Sequence, residues 1–403
     1  MKQLTLPTPP LWLLTLIVGL PQIAETIYTP ALPDIAKSLA VSESFVEYTL
    51  SIYLFGFAVG TLFWGKISDY AGRKLPFLIS MVIYLAGCIG CFYSSSITLL
   101  MISRFVQAFG GSTGSVLGQA MCRDAFHGHE RGKVYSTIGS VLAFSPAIGP
   151  VIGGLIDQAF GWSSLFLLLT LLGTLVLLIS VWYLPETHPH ESRSHVSLGS
   201  LFWKLASDIR VLAFGVLVAG CNGIQFSYFA EGSFYLIELL GLSPTTYGLT
   251  FIALACAGMF GGWLSRILHN HQTSLHILWL GIYISVIGAF LFMMLTLLFN
   301  SLTVPASVSI ALTLTSMMAL MMGNAIIIPN ALSLALDQYR YAVGAASALF
   351  GSFYYLLISA CTMLMGMLHN GTLLPMPLYF FSITIIMLIA AVIVTNKEPH
   401  ATQ

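Results

Sequence analysis

Charge is what this sequence has least of. Only 7% of its 403 residues are Asp, Glu, Lys or Arg, where a soluble domain carries about a quarter. So few charges cannot build a water-facing surface around a chain that is 57% hydrophobic, with mean hydropathy +0.89. Lipid is therefore the solvent. Neither sign is in excess, since 15 basic residues face 15 acidic ones. With no net charge, nothing points to a nucleic-acid partner. Cysteine is sparse too. Cys88, Cys91, Cys122, Cys221, Cys256 and Cys361 lie in or at the ends of apolar runs. The Cys88-x-x-Cys91 pair falls mid-membrane and reads as helix packing, not redox or metal chemistry. The glycine-rich stretch Gly110–Ser115 lacks the Lys of a phosphate loop. With no nucleophile triad, metal constellation or nucleotide loop, neither an enzyme nor a cofactor is expected.

What is there is a series of long apolar runs. A span needs about 20 apolar residues. Such runs lie at 11–32, 45–64, 75–94, 97–121, 134–156 and 163–184, and again at 211–237, 245–267, 275–299, 304–334, 341–368 and 373–396. The first has no small-residue cleavage site after it and reads as a membrane helix, not a cleaved leader. The expected fold is an all-α polytopic membrane protein with two pseudo-symmetric six-helix bundles, 1–184 and 209–403, joined by a polar linker at 185–208. The linker histidines His188, His190 and His195 have no framing ligand and read as solvated. Lys2, Lys66, Arg73, Lys74, Arg123, Arg131, Lys133, Arg193, Lys204, Arg210, Arg266, Arg340 and Lys397 fall on one side of this topology. Only Lys37 falls on the other, and Arg104 lies within a span. The positive-inside rule then puts both termini in the cytoplasm.

Gly65-Lys66-Ile67-Ser68-Asp69-Tyr70-Ala71-Gly72-Arg73-Lys74 is a charged island between the second and third spans. Gly65 and Gly72 suit a tight turn. Gly261–Arg266 is a faint echo after the eighth span, as expected of two related halves. Gly149, Gly153 and Gly154 offer a close-packing face in the fifth span, and Pro146 and Pro150 bend it.

Four stretches together resemble the major facilitator superfamily and, within it, the drug:proton antiporters of the Bcr/CflA type. They are the island; Arg104-Phe105-Val106-Gln107-Ala108-Phe109-Gly110 with Arg123-Asp124; Ser145-Pro146-Ala147-Ile148-Gly149-Pro150-Val151-Ile152-Gly153-Gly154; and Gly323-Asn324 through Pro329-Asn330-Ala331, with Gly344-Ala345-Ala346-Ser347-Ala348. The resemblance implies alternating access around a midplane site in a bacterial inner membrane, with protons, a small-molecule substrate and the lipid bilayer as partners. A monomer is the default. The island becomes a latch: Asp69 meets the eleventh span's N-terminus and Arg73 pairs with Asp124, while Lys74 belongs to the same gate.

A charge at the bilayer centre costs at least about 2.5–3.5 kcal/mol and marks function by default. Glu25, Arg104 and Glu231 are the three candidates for proton coupling, and Glu25–Arg104 is the pair to seek. Here the chain departs from the family. The usual acid of the first span stands where this chain has Thr26, so Glu25 is turned by about 100°. Glu25 reads either as the proton carrier or as a carboxylate locked to Arg104 or a hydroxyl. Glu231 replaces a small residue of the family and reads either as a cavity charge favouring cationic substrates or as a solvated group at the mouth. Gln22, Thr26, Tyr28, Asn222, Gln225, Tyr228, Asn324, Asn330, Phe353 and Tyr354 are the candidate substrate lining, and each reads equally as helix packing. The expected function is proton-coupled efflux of small amphipathic compounds. The alternatives are a dedicated exporter of one metabolite, such as a siderophore or sugar, and a non-transporting receptor or scaffold.

Overall fold

Lipid offers no partner to a backbone N–H or C=O, so this chain has to satisfy its hydrogen bonds inside helices. The computed structural model describes residues 8–126, 128–188, 198–300 and 304–397, and it contains no strand among them. Lys2, His190, Arg193 and His195 lie outside the described residues. The N-terminal half holds α1 Leu11–Thr26, α2 Leu32–Ser38, α3 Glu43–Ala71, α4 Lys74–Phe92, α5 Ile97–Ala125, α6 Gly128–Phe160 and α7 Ser163–Tyr183. After α8 Leu198–Ser207, the second half holds α9 Ile209–Ser233, α10 Pro244–Leu268, α11 Ser274–Asn300, α12 Ala306–Ala335, α13 Val343–Leu368 and α14 Pro375–Lys397.

The first span is broken. A 3₁₀ turn at Thr29–Ala31 joins α1 to α2 and carries the span on to Ser38. Pro30 and Pro33 cause this, because each is seated in a helix's first turn, where its missing N–H costs nothing. The seventh span also runs past expectation, with α9 continuing as a π-helical segment over Phe234–Leu239. The island differs as well. Gly65 lies inside α3 and does not make a turn; the chain reverses at Gly72 alone, whose φ of 90° is open to glycine without strain. Part of the linker is helical. In α8, Leu201 and Leu205 are buried against α13, whereas Phe202 and Trp203 stay exposed, the pattern of a helix lying at an interface.

Among the described residues eleven helices are long and apolar enough to cross a membrane. The remaining span is α5, 29 residues long and carrying Arg104, Gln107, Arg123 and Asp124. It packs against α1, α3 and α4, which bury Arg104 and Gln107. Two seams join the halves, α3 against α13 and α6 against α10.

Candidate substrate and coupling site

At the island the geometry is fixed by Arg73. Its Nε donates to Asp124 Oδ2 at 3.0 Å, and Nη1 donates to Ser68 Oγ at 2.7 Å and Asp69 Oδ1 at 2.8 Å. Glu186, at the start of the linker, accepts from the backbone N–H groups of Arg73 (2.8 Å) and Lys74 (3.1 Å). It thereby caps α4 with a carboxylate on the positive end of the helix dipole. Lys74 Nζ donates to the Val181 carbonyl. All these bonds lie within the first half and the start of the linker that follows it. Asp69 is half exposed and faces a cavity instead of the other half.

That cavity measures about 790 Å³ and lies between the halves. Gly65, Lys66, Asp69, Arg73, Arg123, Asp124 and His188 line it near the island, together with Ser347 and Ala348 of α13. Phe57, Tyr354 and Tyr355 line it too, and the rings of Phe57 and Tyr355 lie 4.7 Å apart, joining the two halves. Glu25 is 1% exposed, its Oε1 has no hydrogen-bond partner, and it lies within electrostatic reach of Tyr53, Tyr354 and Tyr355.

Arg104 does not pair with Glu25. Its guanidinium is sandwiched between the rings of Tyr28 and Tyr53, 4.0 and 4.1 Å from their centroids. Nη1 donates to Gln107 Oε1 at 2.6 Å and to the Ala24 carbonyl at 3.3 Å. Cation–π contact and two amide oxygens hold the desolvated guanidinium, so its charge reaches Glu25 through space without an ion pair.

Of the residues expected at the substrate, Tyr354 lines the cavity in this conformation. Thr26 is pressed against Gly149 of α6, and Tyr28 is held by Arg104 and by Thr49. Tyr228 packs on Tyr247 and Phe251. Asn324 donates to the Cys221 carbonyl, Asn330 to Ser265 Oγ, and Phe353 covers Gly215. Gln22, Asn222 and Gln225 are half-buried, with Asn222 bonded to its own helix at the Val218 carbonyl.

Opposite the island the halves are closed. A Cβ added at Gly154 would overlap the Pro244 carbonyl, and one at Gly248 would overlap the Pro150 carbonyl. Thr245 Oγ1 donates to Gln158 Oε1 at 2.6 Å and to the Gly154 carbonyl at 3.3 Å. Lys37 pairs with Glu238 at 2.7 Å, and Ser359 Oγ donates to the Ser51 carbonyl at 2.7 Å. Glu231 is buried here, in a cluster that spans the seam. His369 Nδ1 meets Glu231 Oε2 at 2.8 Å and Nε2 meets Glu43 Oε2 at 2.6 Å, with Glu47 Oε1 3.5 Å from Nδ1. Burial alone would lower the His369 pKa, but the bonds and charges of Glu231 and Glu43 raise it above its ordinary value. Sequence reasoning missed Glu43, Glu47, His369, Phe57, Tyr355 and Glu186. The acids and the histidine sit at span ends, where a charge ordinarily meets water, so nothing in the local pattern marks them.

Two helical halves, closed at one face around a cavity that opens at the other, define a membrane transporter, not an enzyme. The description of the Major Facilitator Superfamily matches residues 14–362, and the chain belongs to that superfamily. It is 35% identical over 381 residues to an uncharacterized transporter of Rickettsia bellii, covering 93% of this chain and 94% of that one. To a bicyclomycin resistance protein homolog of Haemophilus influenzae it is 27% identical over 382 residues, 94% of each chain. The crystal structure of a D-xylose–proton symporter superposes with TM-score 0.77 at 16% identity, covering 96% of this chain and 97% of that one, which shows the shared fold.

Proposed function

We propose that this protein is a Bcr/CflA-type antiporter that exports small amphipathic compounds from a bacterial cytoplasm against an inward proton flow. The island face is cytoplasmic in this reading, so the structure is the inward-facing form, and both termini lie inside. Residues 1–184 and 209–403 are the two rocking bodies, 185–208 connects them, and the unit is a monomer. The observation that carries the reading is Glu25: a carboxyl shielded from water, unpaired at Oε1 and in no ion pair with Arg104, whose charge acts on it from a distance, behind the aromatic end of the cavity. Such a group exchanges one proton with whichever side the cavity faces. Arg104 stays bound to its rings and sets the local field. A cavity with an aromatic end of Phe57, Tyr354 and Tyr355 and a charged end at the island suits amphipathic ligands, which carry an apolar body and a polar head. A proton crossing 100 mV releases about 2.3 kcal/mol, enough for roughly a 50-fold concentration ratio.

Pro150 and Gly154, which meet Gly248, Pro244 and Thr245 across the seam, form the outer gate in this reading, while Gly149 and Gly153 hold α6 against α1 within the first half. Asp69, with Arg73 and Asp124 behind it, latches the inner gate when the cavity turns outward. In energised everted vesicles, adding a transported cationic dye should raise the luminal pH as protons leave in exchange. Glu25→Gln should reduce that response to background while leaving dye binding intact. A full response from Glu25→Gln would refute the assignment.

A further inference from the structure

The seam cluster opposite the island has a composition that the transport reading does not use. Glu43 and Glu47 come from α3 of the first half, Glu231 from α9 of the second, and His369 from the residue after α13. Lys37 of α2 stands nearby but is already paired with Glu238. Three carboxylates therefore face one imidazole. Even as an imidazolium, His369 cannot balance three ionised acids, in a site that meets solvent only on the Glu43 side. Glu47 is the residue that points to a ligand. It is 0% exposed, and neither carboxyl oxygen has a hydrogen-bond partner among the described residues. A buried carboxylate left this way is costly unless something occupies the space before it.

We infer that Glu47, Glu231 and His369 form a divalent transition-metal site that staples the two halves together. One ligand atom from each lies within 4.8 Å of the other two. Zinc takes His nitrogen and carboxylate oxygen at about 2.0–2.2 Å, which puts tetrahedral ligands about 3.3–3.6 Å apart. A rotamer adjustment of about 1 Å closes the difference. Two acids and a neutral imidazole suit zinc better than magnesium, which takes oxygen ligands. Glu43 supplies what a metal-bound histidine needs on its far side. It holds Nε2–H at 2.6 Å, which orients the ring and leaves Nδ1 for the metal. On binding, the Nδ1 proton passes to water and the metal takes its lone pair. An entry path exists. A cavity of about 380 Å³ lined by Lys37, Glu43, Glu238 and His369 opens on this face. Because the ligands come from both halves, the metal binds only the form in which this face is closed.

The test is thermal unfolding of the purified full chain after chelator treatment, with zinc as the probe. Zinc at about 100 times its dissociation constant should raise the unfolding midpoint by about 3–5 °C, saturably, whereas magnesium should not. Glu47→Gln and His369→Asn should each weaken the response at least about tenfold, and Glu43→Gln by about 10- to 100-fold. Glu47→His keeps a ligand and should keep the response, which guards against a Gln variant that merely misfolds. His188→Asn should leave it unchanged, which separates the cluster from the linker. Three results would each overturn the site: no zinc effect in the wild type, an undiminished effect in Glu47→Gln, or stabilisation by acid alone in zinc-free buffer, which would give the cluster to protons.

Discussion

Gly153 and Gly154 are neighbours in sequence, yet the structure assigns them to different events. A Cβ at Gly153 would overlap the Ile27 carbonyl, with the carbonyl carbon 2.8 Å away. Ile27 follows α1 in the same half, so the clash persists whichever way the transporter faces. A Cβ at Gly154 would overlap the Pro244 carbonyl, with the carbon at 2.8 Å and Thr245 Cα at 3.0 Å. Pro244 opens α10 in the other half, so that clash exists only while the outer face is closed. Neither obstacle is a flexible side chain, and overpacking of this kind costs about 1–3 kcal/mol. For Gly153→Ala the cost is lost stability. For Gly154→Ala it is a change in the balance of the two forms, about 5- to 150-fold away from the one with the cavity open at the island. The assay is alkylation of a Ser347→Cys reporter, which lines that cavity, in a background free of native cysteines. Gly154→Ala should slow labelling with little change in unfolding temperature, and Gly153→Ala should do the reverse. Gly262→Ala on α10, where nothing lies within 4 Å, should do neither. Equal labelling in all three would refute the seam as the moving contact.

Three further outcomes are expected. Asp69→Asn removes the charge proposed to meet the N-terminus of α13 when the island face shuts, and should speed the same Ser347→Cys labelling by about 2- to 5-fold; an unchanged rate would return the island to simple topology. Arg104→Lys replaces a plane between two rings with a point charge that cannot stack on both, and should cost at least about 2 kcal/mol, read as a lower unfolding midpoint at all pH values. Glu186→Ala uncaps α4 and should cost about 1 kcal/mol, whereas Glu186→Gln, able to accept one of the two bonds, should cost less; an unchanged unfolding midpoint in Glu186→Ala would show that the carboxylate does not cap α4.

The spans were legible because lipid imposes a length and a composition that any window of sequence displays. The polarity of the fourth span and the Arg73–Asp124 pairing were legible for a related reason: each is a charge that needs a stated partner. What sequence does not carry is azimuth. Tyr28, Tyr228, Asn324 and Asn330 have the right depth and the right chemistry, but each turns into its own half, because one residue along a helix rotates a side chain by about 100°. Phe57 and Tyr355 read as two more aromatics among many until the seam of α3 and α13 brings their rings together. Glu47 and His369 lie in different halves and meet only because the halves close on one another. Gly65 was misplaced for a local reason: Ser68 bonds back to the Gly65 carbonyl and the helix continues through charged residues without a break.

The polarity of α5 has a consequence for how the chain enters the membrane at all. Among the described residues eleven helices are long and apolar enough to leave an aqueous pore for lipid on their own. With Arg104 in its first third, α5 pays up to about 2.5–3.5 kcal/mol to do so, and the rings and amides that shelter that charge belong to α1, the turn after it, α3 and α5 itself. During biogenesis α5 therefore has to wait at the insertion site until α1 and α3 are in place, and then pack onto them in one step. A chain deprived of α3 should stall with α5 unintegrated, although every other span of the first half would still insert.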